Sequence, residues 1–203
     1  MWVGLSAAYL GDEQTTRRHI AACETLAPRW RHGQRNFVQA RLRLALDDLD
    51  TAARHVAVMP AEWPPCAQCQ DLYRLVYAEF YARTGEPERA EGAAREVLRP
   101  EAGRRLWLQG EAYYGLGLAA LTRQDPDAAI EALTAGRDLL EEAGHIWTLA
   151  QTWKELGRAS AARGAPGDMT RAHEALAQAR DLFARHGAEA QGARVAALLE
   201  ALA

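Results

Sequence analysis

Cys66-Ala-Gln-Cys69 has the spacing of two zinc thiolates or of a redox pair, and Pro64-Pro65 just before it would stiffen the loop. Zinc needs further ligands, and the chain has three cysteines with no second Cys-x-x-Cys. Cys23, His32 and His55 are the remaining candidates to complete a set. The alternative is a loop cysteine followed by a cysteine at a helix start, and we read the pair that way. No metal or other cofactor is expected, with Cys66 and Cys69 kept as the candidates should one bind.

Other chemistry is excluded by its missing partners. His173-Glu174 opens like a zinc-protease motif, but position 177 is alanine where the second histidine belongs. The two serines, Ser6 and Ser160, stand in no Gly-x-Ser-x-Gly, which excludes that class of hydrolase. Gly-Glu-Ala-Tyr-Tyr-Gly-Leu-Gly, from Gly110, lacks the Gly-Lys-Ser/Thr ending of a phosphate loop and falls inside a predicted helix. With no catalytic set, the chain reads as a binding protein rather than an enzyme.

The elements that position any site are helices. Alanine, leucine and arginine dominate while isoleucine and valine are scarce, a bias toward residues that lose least on entering a helix. A formal charge of -3 gives no long-range pull toward nucleic acid or an acidic membrane. The basic clusters Arg17-Arg18-His19 and Arg29-Trp30-Arg31-His32 sit among dispersed acids and read as a solvated face. Tryptophans such as Trp107, Trp147 and Trp153 fall at helical spacing with other apolar residues and read mostly as core. The odd cysteine number, with no long apolar run or leader, leads us to expect a cytoplasmic chain.

Two segments align with one another, one from Tyr113 and one from Trp153. Gly117 and Gly157 each follow a leucine, with an aromatic residue three positions before that leucine. Each copy continues through a turn into a second helix, marked by Ala129, Leu133 and Gly136 in one and by Ala172, Leu176 and Ala179 in the other. Fainter copies use Ala78, Tyr81 and Ala90; then Ala40, Ala52 and Val56; then Gly4, Ala7, Thr16, Ile20 and Cys23. Pro87 and Pro126 suit the first position of a helix, and Gly85, Gly144, Gly164 and Gly187 suit helix ends. Small residues such as Ala129 let neighbouring backbones approach to roughly 8 Å.

Tyr113, Leu116, Gly117, Ala120, Ala129, Leu133 and Gly136 resemble the tetratricopeptide repeat in both residue type and spacing. The family's closing proline is replaced by Glu141, so the helix should run on to Gly144. The resemblance implies an all-α, right-handed superhelix over 1–203, of about five helix pairs with a capping helix at 189–203. An irregular proline-rich connection is expected at 59–68.

The resemblance also implies a concave groove lined by the first helix of each pair. Its groove positions fall on Arg41, Glu79, Arg83, Tyr114, Lys154 and Arg158, with Phe37, Leu44, Leu75, Leu118, Thr122 and Gln151 beside them. The cations would anchor an acidic peptide or carboxylate, or would simply be solvated arginines. The Lys-and-Asn clamp of the chaperone-binding members is absent. The ending Ala179-Arg180-Asp181-Leu182-Phe183 is similar to the last repeats of MalT-like, ATP-dependent bacterial transcription activators, whose arrays sense an inducer or partner. Two functions follow as expectations: a protein- or peptide-binding scaffold, or the effector-sensing domain of a transcription regulator taking a small molecule or peptide. Self-association stays open, and neither direct nucleic-acid binding nor membrane binding is expected.

Overall fold

The computed structural model describes residues 32–59, 67–100 and 105–202, together with Arg18 and Ala21. Among the described residues every regular element is helical. In chain order they are α1 (His32–Ala45), α2 (Leu49–Val58), α3 (Ala67–Arg83), α4 (Pro87–Val97), α5 (Leu106–Thr122), α6 (Pro126–Glu142), α7 (Ile146–Arg163), α8 (Asp168–Arg185) and α9 (Glu189–Ala201). The first proposed repeat, Cys23, Cys66 and most of the proline-rich connection lie outside the described residues.

The helices end for local reasons. Pro87 and Pro126 occupy the first turns of α4 and α6, where the missing N–H has no partner to lose. Asp125 caps α6 by accepting from the Ala128 N–H, and Asp48 caps α2 by accepting from Thr51. Asp47, Gly85, Gln124, Gly144 and Gly187 all have positive φ just past a helix end. The residue after each donates its N–H to the carbonyl five positions back, as in Glu86 to Tyr81 and His145 to Leu140. That bond satisfies a carbonyl the helix leaves open. The same turn thus recurs along the chain, and α6 stops at Glu142, just short of Gly144.

Each helix packs on its sequence neighbours, and the odd-numbered helices α1, α3, α5 and α7 also pack in series, each on the next. Glycine permits the closest of these contacts. A Cβ on Gly117 would lie 2.4 Å from Leu133 Cγ, one on Gly157 would lie 2.6 Å from Leu176 Cγ, and one on Gly110 would lie 2.6 Å from Leu140 Cγ. A leucine of the second helix therefore seats directly on a glycine of the first in both of the segments that align in sequence. Ala129, Leu133, Ala172 and Leu176 are all buried.

The core is a succession of local clusters rather than one centre. Val56, Met59 and Tyr73 belong to one, Ala94, Val97 and Leu108 to the next, and Leu176, Phe183 and Val195 to the last. Leu198 and Leu199 of α9, with Leu202 just after it, pack against this last cluster, so α9 covers what α7 and α8 would otherwise expose. No helix among the described residues is long and apolar enough to cross a membrane.

Candidate functional site

Each odd-numbered helix turns one stripe toward a shared recess. On α5 it is Glu111, Tyr114 and Leu118; on α7 it is Thr148, Gln151, Glu155 and Arg158; on α9 it is Gln191, Arg194 and Leu198. Spacings of three and four place each set on a single helix face. Arg41 and Leu44 of α1 and Leu75, Glu79 and Arg83 of α3 complete the lining. Together they enclose a recess of about 540 Å³.

All six residues expected to bind line this one recess: Arg41, Glu79, Arg83, Tyr114, Lys154 and Arg158. Leu44, Leu75, Leu118 and Gln151 join them, but two other expected positions do not. Phe37 stacks on Tyr73 at 5.1 Å and packs into the core between α1, α2 and α3. The Thr122 hydroxyl donates to the carbonyls of Ala82 and Leu118, each at 2.9 Å.

The cations are not free charges. Arg41 reaches from α1 to α5 and donates to both oxygens of Glu111, at 3.0 and 3.2 Å. Glu111 is 5 % exposed and also accepts from the Thr148 hydroxyl of α7 at 3.1 Å. Three inner helices are thereby tied through one carboxylate. Arg83 donates to the Leu44 carbonyl at 2.8 Å, to Glu79 at 3.1 Å and to Asp47, fastening α3 to the end of α1. A buried acid without such partners would be costly, so these bonds are what allow acids to sit here.

On α7, Glu155 is 3 % exposed and divides its oxygens, Oε1 contacting Lys154 at 2.9 Å and Oε2 accepting from Arg158 at 2.7 Å. Burial pushes the Glu155 carboxyl up, but Lys154 and Arg158 outweigh it and hold the group below the usual carboxylate range. Lys154 also donates to Gln151 at 2.8 Å. Tyr114 lies between the two charged sets. Burial, with Glu155 and Glu79 near it, pushes its phenol well above the usual value, so the hydroxyl stays protonated at neutral pH.

His145, at the start of α7, stacks on Trp107 at 5.8 Å and places Nε2 3.9 Å from Glu111. Its buried Nδ1 has no hydrogen-bond partner among the described residues. Desolvation lowers its pKa, Glu111 pulling the other way and Arg41 adding to the decrease. Among the metal candidates, His55 Nδ1 pairs with Asn36 at 2.9 Å, while the side chains of Cys69 and His32 lie outside the described residues. No group of three or more metal-ligating side chains occurs among the described residues.

Reasoning from the sequence missed Glu111, Glu155, Trp147 and Arg194. Trp147 packs edge-on against Phe183 at 5.3 Å and lines the recess as well, serving both core and groove. No protein-family model matches the chain, and no curated protein matches it.

Proposed function

We propose that the chain is a non-catalytic scaffold of tetratricopeptide-like helix pairs, wound as a right-handed superhelix, that holds a peptide or protein segment in its concave groove. The observation that carries this reading is the convergence of five helix stripes on one recess with Tyr114 inside it. Tyr114 also packs against two core clusters, but packing does not require lysine and arginine beside it, whereas recognition uses an aromatic platform flanked by charge. Selecting peptides on wild type and then measuring them on Tyr114→Ala/Arg158→Ala tests the reading. We expect the double variant to lose roughly ten-fold or more in affinity. Equal affinity for both proteins would move recognition to the outer helices.

The second reading is an effector-sensing domain of a regulator. It draws support from enclosure: the Arg41–Glu111 bridge spans α1 to α5, and α9 supplies a further wall. A recess of about 540 Å³ falls within the range usual for small-molecule sites.

A further inference from the structure

The two flanks of the groove differ in charge. Along α1, α3 and α5, Arg41 and Arg83 meet three carboxylates, Asp47, Glu79 and Glu111, and both guanidiniums are engaged with them. Along α7 and α9, Lys154, Arg158 and Arg194 line the recess with a single carboxylate, Glu155, which pairs with Lys154 and Arg158. The first flank is short of positive charge by one, and the second carries an excess of two.

The excess sits where donors are unspent. Arg158 gives only Nη1 to Glu155, and its side chain is 56 % exposed. Its Nε and Nη2, the edge that grips an oxyanion with two parallel bonds, make no hydrogen bond among the described residues. Arg194 is exposed, lines the recess from α9, and has no ion pair or hydrogen bond among the described residues. Glu155 is buried and already holds Lys154 and Arg158, and Glu79 and Glu111 are likewise paired with arginines, while Asp47, more exposed, accepts from Arg83. Next to the cations lie apolar surfaces: Leu118 one turn beyond Tyr114 on α5, and Leu198 one turn beyond Arg194 on α9.

We infer that the α7–α9 end of the groove is a subsite for an organic oxyanion, a carboxylate or phosphate carried on an apolar body. Arg158 and Arg194 grip the anion, Lys154 adds charge from its side, and the body lies over Tyr114, Leu118 and Leu198. This rests on the groove being the binding surface, and it narrows that reading to one end and one sign of charge. Arg41 and Arg83, engaged elsewhere, hold the walls.

The test uses the full chain with four probes of one shape: 4-phenylbutyrate, 4-phenylbutyl phosphate, the neutral 4-phenylbutyramide and the cationic 4-phenylbutylamine. Calorimetry gives affinities, and backbone amide shifts locate the site. We expect at least one anion to shift amides of α5, α7 and α9 and to bind roughly ten-fold or more tighter than the amide and the amine. Its affinity should fall with added salt. The tighter anion identifies carboxylate or phosphate as the preferred head group. Arg194→Gln removes no internal bond, so its loss of affinity reads the subsite without disturbing the fold. Arg158→Gln/Arg194→Gln should lose more, and Arg180→Gln on α8 should change nothing. If the amide or amine binds the groove as well as the anions do, the subsite falls and the groove reading stands. If no probe shifts groove amides, the subsite is overturned, and the peptide selection decides the groove separately.

Discussion

Arg41 and Glu111 stand 70 residues apart in the chain and meet at 3.0 Å across the inner face of the helix stack. The side chain of Glu111 is 4 % exposed, and that of Arg41 is 17 % exposed. Removing one partner of such a pair costs far more than the pair contributes, because a charge is left buried. Arg41→Ala should therefore lose about 2–4 kcal/mol, whereas Glu111→Gln, which keeps hydrogen bonds to Arg41 and Thr148, should lose about 1 kcal/mol. Urea unfolding measures both. Small and equal losses would show that the bridge does not tie the inner helices.

Gly157 and Gly92 make opposite predictions. A Cβ on Gly157 would lie 2.6 Å from Leu176 Cγ and 3.1 Å from the Ala172 carbonyl, so Gly157→Ala should destabilise by about 1–3 kcal/mol. Around Gly92, inside α4, a Cβ would meet nothing within 4 Å. Gly92→Ala should then stabilise by about 0.5–1 kcal/mol through lower chain entropy. Melting shifts of the same sign in both variants would contradict this packing.

These contrasts show which features could be read in advance. Gly117 and Gly157 stand out because the close helix contact they permit is local, within a single hairpin. Pro87 and Pro126 act over one turn and are equally visible. Glu111 is not, because the partner that makes its burial tolerable lies on another helix pair. Arg41 and Arg83 line the recess as paired groups rather than available anchors, and such cross-pair neutralisation leaves no sequence pattern. Arg194 lies beside the apolar face that α9 packs on α7 and α8, and only the fold brings that neighbouring stripe to the recess.

His145 should make the fold acid-sensitive. Its pKa is lowered by burial in the folded chain, while an unfolded histidine titrates near ~6.5. Below that value the unfolded state binds the proton more readily, so stability present at pH 7 is lost as pH falls from there toward the folded pKa. Melting at pH 7, 6 and 5 should show a decline in wild type that His145→Asn flattens. Parallel profiles for the two proteins would exclude His145 as the source.

Glu155 acts in a lower window. Its folded pKa is depressed by Lys154 and Arg158, so its contribution is complete above the unfolded value near ~4.3 and is lost as pH falls through the folded value. Glu155→Gln should be less stable than wild type at pH 6, with the gap closing toward pH 3. A constant gap across that range would mean that the carboxylate's charge contributes nothing.

The most direct measurement of the groove assignment is hydrogen exchange on the chain with and without a peptide from the selection. The account predicts added protection on the inner helices α1, α3, α5 and α7 and on α9, strongest around Tyr114 and Arg158. Protection confined to α2, α4, α6 and α8 would contradict it and place recognition on the outer face.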